Sequence, residues 1–128
     1  MPKILPVYRI LDFHQKNPSN HFYANDLHIH LKEHQFTNDP HKHDFYLTVL
    51  FTKGSGTHEV DFVKYKVKPG ALFTLKPGQM HSWSLSANTR GYVFFHLKNF
   101  YEERYTNEKL NNYPFFACFG NTYLIELD

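Results

Sequence analysis

The chain has 128 residues, 41% of them hydrophobic and 18% aromatic, with 14 basic against 12 acidic side chains and a net charge of +2. That length fits one domain with a real core, and the near-balanced charge gives no nucleic-acid-binding signature. A single cysteine, Cys118, excludes an internal disulfide and fits a reducing compartment; no stretch approaches the ~18 apolar residues of a membrane span.

Met1 to Pro18 reads as an arm. Ile4, Leu5, Val7, Tyr8, Ile10, Leu11 and Phe13 follow no sustained period, and Pro2, Pro6 and Pro18 argue against a long helix. A short edge strand, or a segment laid over the rest, is expected. There is no cationic start followed by an apolar run, so no signal peptide is expected. Phe22 to Lys32 alternates Leu27, Ile29 and Leu31 with His28, His30 and Lys32. The expectation is a half-buried strand with its histidines facing solvent. Thr37-Asn38-Asp39-Pro40 is a turn.

Pro40 to Thr57 is the most informative stretch. Residues two apart on a strand share a face, so His41, His43, Phe45, Leu47, Val49 and Phe51 point one way, and Asp44, Tyr46, Thr48 and Thr52 the other. Two imidazoles therefore stand at one end of an apolar face. Gly54 and Gly56 permit a reversal, after which Thr57 to Phe62 returns with His58, Val60 and Phe62 on one side. The next reversal is expected at Val63-Lys64. Lys64, Lys66 and Lys68 then form a basic stripe, read as a guarded sheet edge. Ala71 to Leu75 is a short strand between Pro69-Gly70 and Pro77-Gly78. His81, Trp83 and Leu85 share a face of the next, and Tyr92 to Leu97 reads as a strand buried on both sides. Asn99 and Glu102 make a capping-box-like pair for a short helix, Phe100 to Tyr105, with a second helical turn over Glu108 to Asn111. Phe115 to Phe119 and Tyr123 to Leu127 read as closing strands. Short strands between closely spaced turns signal a sandwich or barrel.

Pro40–Gly56, the hairpin His58–Phe62, and Lys68-Pro69-Gly70 with Lys76-Pro77-Gly78-Gln79-Met80-His81-Ser82-Trp83 resemble the N-terminal regulatory domain of AraC-family transcription regulators. The similarity spans roughly residues 38 to 105. It implies an all-β cupin, a double-stranded β-helix or jelly-roll barrel, with one or two short helices near the C-terminus. The implied layout is a single sensor domain over 1–128: an arm at 1–18, the main barrel at 22–98, a helical segment at 99–112 and closing strands at 113–128. In the wider cupin superfamily two histidines and a glutamate of one motif and a histidine of a second bind a metal. The histidines fall on His41, His43 and His81, but the glutamate position falls on Leu47. The glycine expected before the first motif falls on Gln35, and the asparagine after the third histidine on Leu85.

The resemblance implies an effector, commonly a sugar, held inside the barrel. The expected ligand-binding residues are His41, His43, Leu47, Phe51, Lys53, His81 and Trp83, Lys53 standing where the family places a basic side chain. No cofactor and no catalysis are expected. The alternative is a small metal-dependent cupin enzyme using His41, His43 and His81. DNA would be reached only through a helix-turn-helix domain that these residues do not include. Residues 1–13 are a candidate lid by analogy. A cytoplasmic protein with no membrane contact is expected, and a homodimer is left open.

Overall fold

A computed structural model describes residues 5–13, 22–97 and 123–126. They form a mostly β fold with one helix, built mainly from two sheets. The larger runs β10 (Tyr123–Glu126), β7 (Ala71–Leu75), β4 (Tyr46–Lys53), β9 (Arg90–His96), β2 (Phe22–Asp26); the smaller runs β6 (Val63–Val67), β5 (Gly56–Val60), β8 (His81–Leu85). Every pairing within these two sheets is antiparallel. A third, parallel pair joins β1 (Val7–Tyr8) of the arm to β3 (Lys42–His43).

The alternation of β4 builds the core. Leu47, Val49 and Phe51 are buried, and Phe45 just before the strand is fully so. They meet Phe73 and Leu75 of β7 and Val93 and Phe95 of β9 in one apolar cluster. Burying such a side chain contributes roughly 1.5–3 kcal/mol. The arm joins the cluster through Ile10 and Phe13. At the far edge, Lys64, Lys66 and Lys68 lie exposed on or just after β6, an edge strand, where lysines discourage pairing with another chain.

Three expectations are corrected. Phe22 to Lys32 is not one strand: after β2, Leu27–Glu33 is a helix, α1, capped by the Asp26 carboxylate accepting from the Ile29 amide at 3.2 Å. Its buried residues are Leu27 and His30, so His30 faces inward rather than to solvent. The reversal after β5 falls at Asp61-Phe62, both at positive φ (48° and 71°), and Phe62 is 85% exposed instead of sharing the inner face of His58. Asp61 is held in this unfavourable conformation by its carboxylate, which accepts from the Met80 amide at 3.0 Å and the Gln79 side chain at 2.9 Å. Finally, β9 is not buried on both sides, since Tyr92 and Phe94 on its outer face are exposed. The expected helical segment at 99–112, and the strand at Phe115–Phe119, lie outside the described residues.

Candidate histidine site and adjoining cleft

Backbone pairing brings the two histidine motifs together. His41 and His81 form an antiparallel bridge that exchanges both backbone bonds, His41 N–H to the His81 carbonyl at 3.0 Å and His81 N–H to the His41 carbonyl at 2.9 Å. His43 follows two residues on, on the same face, and its carbonyl accepts from the Gly78 amide. The Pro77-Gly78 turn is thereby tied to the first motif, with Gly78 at φ +89°. The arm covers this end: Tyr8 pairs with His43 in register and packs its ring on His41 at 5.3 Å between centroids.

His41, His43 and His81 are each almost fully buried, and their ligating nitrogens lie within 4.8 Å of one another. His43 Nε2 lies 3.1 Å from His41 Nε2 and 2.9 Å from His81 Nε2. His41 Nδ1 lies 2.6 Å from the Asp39 carbonyl. A carbonyl only accepts, so Nδ1 carries the proton of the neutral ring and Nε2 presents a lone pair. Burial pushes all three imidazoles below their ordinary pKa of 6.5, His43 and His81 well below it; neighbouring imidazoles add to the effect there, whereas the Asp39 carbonyl partly opposes it at His41. They are therefore neutral near pH 7.

Neutral rings cannot satisfy this geometry with protons alone. One N–H fits between the three Nε2 atoms; a second would point at the first. A single proton then serves two short contacts. A cation at the centre would instead engage all three lone pairs, and contacts of about 3 Å suit nitrogens sharing one ion at roughly 2.0–2.1 Å. The residues therefore fit a metal. The superfamily's carboxylate position does not contribute: Leu47 is buried in the core, and Asp44 is exposed. Among the described residues, no Asp or Glu joins the trio.

His58 is a member of this cluster that the sequence reading left out of the site. It sits on β5 opposite Trp83 and is fully buried, with Nε2 2.8 Å from His81 Nδ1. Burial lowers its pKa to about 3. If His81 Nδ1–H donates to His58, His81 Nε2 is left with its lone pair toward the trio, as a metal-ligating histidine requires. The available signal was its alternation with Val60 on a strand paired to the His81–Trp83 strand.

The remaining expected contacts separate. Phe51 belongs to the core, with its ring 6.3 Å from Trp83. Lys53 is exposed near the end of β4, so the structure gives it no place beside the trio. Trp83 is 4% exposed and meets both His81 and His58, with ring centroids 5.3 and 5.2 Å away. It also lines a cleft of about 410 Å³ between α1, the 3₁₀ turn Gln35–Asn38 and β8, together with His28, Lys32, Gln35, Asn38 and Ser84. Trp83 thus connects the histidine cluster to a solvent-reachable opening.

The AraC-like ligand binding domain family matches residues 27–99. Among solved structures, a tryptophan-to-tyrosine variant of oxalate decarboxylase from Bacillus subtilis is similar at 13% identity and a TM-score of 0.43, covering 87% of this chain and 34% of that one. The same organism's oxalate decarboxylase at pH 4.6 is similar at 13% identity and a TM-score of 0.40, covering 75% and 30%. The chain spans about a third of the length of these proteins. No curated protein matches its sequence.

Proposed function

Because the chain belongs to the family of AraC-like ligand binding domains, we propose that it senses a small effector, a sugar or related metabolite, at the end of the barrel where Trp83 separates the histidine cluster from the cleft. The observation that carries this reading is that placement of Trp83. One flank of the indole meets buried imidazoles, and the residue also lines an opening with amide and hydroxyl groups. An apolar platform with a few placed polar groups is what a small-molecule site needs. The readout would be a shift in how a DNA-binding domain elsewhere in the protein is presented. An effector achieves that only by binding one arrangement better than another. The arm is the natural second partner of such a shift, since Tyr8 rests on His41 and Phe13 is buried in the core. On this reading the chain is a cytoplasmic regulator domain without catalysis, and Leu47 in place of a carboxylate supports that.

A second reading rests on the three converging Nε2 atoms. His41, His43 and His81 would hold a divalent metal, which when bound would offer a Lewis-acidic point to an oxygen of the ligand. His58 would fix the His81 tautomer, and the surrounding aromatic rings would exclude water.

A thermal-shift screen of sugars and related metabolites, with and without divalent metals, tests both readings, because a ligand of the native state raises stability by mass action. An effector that stabilises the chain, and loses that effect in Trp83→Ala, supports sensing. A library without any stabilising compound, in either metal condition, refutes it.

A further inference from the structure

We infer that the cleft between α1 and β8 receives the anionic end of a small polyhydroxylated effector, a sugar acid or a sugar phosphate. This rests on the effector-sensing reading and adds the ligand's charge to it. Among the described residues, none that lines the cleft carries a carboxylate, and Lys32 brings an ammonium to its rim. Glu33, next on the helix, is directed elsewhere, 3.9 Å from His34 Nε2. Behind His28 stands Arg90, whose Nη1 donates to His28 Nδ1 at 3.1 Å. That bond takes the Nδ1 lone pair, so the neutral ring carries its proton on Nε2 as a donor. The same guanidinium nitrogen donates to the Thr89 carbonyl at 2.8 Å, which pins Arg90 in place. Among the described residues, the cleft is thus lined by one cation and backed by a second, with no opposing charge.

Trp83, part of the cleft lining, carries a buried Nε1–H with no acceptor among the described residues, and an unmade buried donor is costly. Gln35, Asn38 and Ser84 line the cleft and supply donors and acceptors for hydroxyls. An acceptor-rich, negatively charged polyol matches this inventory better than a neutral or cationic one.

Calorimetric titration of the 128-residue chain with D-galacturonate, D-glucose 6-phosphate and D-galactose tests the assignment. At least one anion is expected to bind about tenfold more tightly than galactose, the equivalent of one charge-assisted contact. The stronger of the two identifies carboxylate or phosphate as the preferred group. Lys32→Gln, on an exposed helix position, should remove most of that preference, with a larger loss for the anions than for galactose. Raised salt should weaken binding of the anions. Galactose binding as tightly as both anions, or a Lys32→Gln loss equal for all three sugars, overturns the assignment alone and leaves effector sensing in place. Silence from all three also overturns it; only silence across the wider screen reaches the reading beneath.

Discussion

Two groups of buried imidazoles occupy this small barrel, and they are built on opposite principles. In the first, His30 of α1 receives a conventional partner: its Nδ1 lies 2.8 Å from the Tyr23 hydroxyl, which also accepts from Asn25 at 2.9 Å. Phe13, Tyr23, His34 and Phe95 surround it with ring contacts. In the second, His41, His43 and His81 turn nitrogens toward one another with too few protons to go round. His30 is explained by packing and one hydrogen bond. The trio instead converges on a common focus, where its lone pairs could meet a cation. Burial alone therefore does not distinguish a structural histidine from a functional one; the partner of each nitrogen does.

The largest expected effect breaks this comparison at the metal. Zinc at a hundred times its Kd should stabilise the chain by roughly 2.7 kcal/mol. His43→Ala should abolish that gain, whereas His30→Ala should lower the starting stability and keep it. Denaturant melts with and without zinc read both, and equal zinc responses in the two variants would erase the distinction.

A smaller effect comes from acid. Burial, with smaller contributions from His34 and His41, lowers the His30 pKa from 6.5 to about 3. Below pH 6.5 the unfolded chain takes up the proton first, so stability falls as pH drops through the window from 6.5 to about 3. At pH 5 the loss from this one group is roughly 2 kcal/mol. Replacing His30 by Gln should flatten the pH–stability curve by about that amount between pH 7 and 5. A variant curve as steep as the parent's would show that His30 titrates normally.

The smallest expected effect sharpens the boundary of the site. Lys53 lies exposed, so Lys53→Ala should change stability by less than about 0.5 kcal/mol. Effector affinity should also stay within twofold in the same titration. A larger loss of affinity would return Lys53 to the pocket.

The strands were readable because β4 and β8 alternate, β7 is a short apolar run, and Pro-Gly and Gly-x-Gly turns punctuate them. The spacing of His41, His43 and His81 was equally plain, since pairing of the two motifs places them on one face. Helix α1 was hidden for a physical reason. Its inward positions are Leu27, His30, Leu31 and His34, a helical spacing of three and four, but two of the four are histidines. Scored by hydrophobicity they look polar, and Leu27, Ile29 and Leu31 imitate a strand instead. Ile29 is in fact exposed. The Asp61-Phe62 turn was hidden because local preference disfavours a bulky residue at positive φ; bonds from Gln79 and the Met80 amide override it, and those partners are far away in sequence. His58 was missed because its role depends on a neighbour across the sheet.

The His41–His81 bridge bears on how the chain reaches this state. The contact between His43 and His81 spans 38 positions of the sequence, so bringing His81 to the trio requires closing a long loop first. Barrels dominated by such distant pairings fold on the slower end of the scale. Trp83, the sole tryptophan, lies against His58 and His81 at this junction. Its fluorescence during refolding is therefore a built-in clock for barrel closure, and the emission change dates the moment at which the histidine end of the barrel forms.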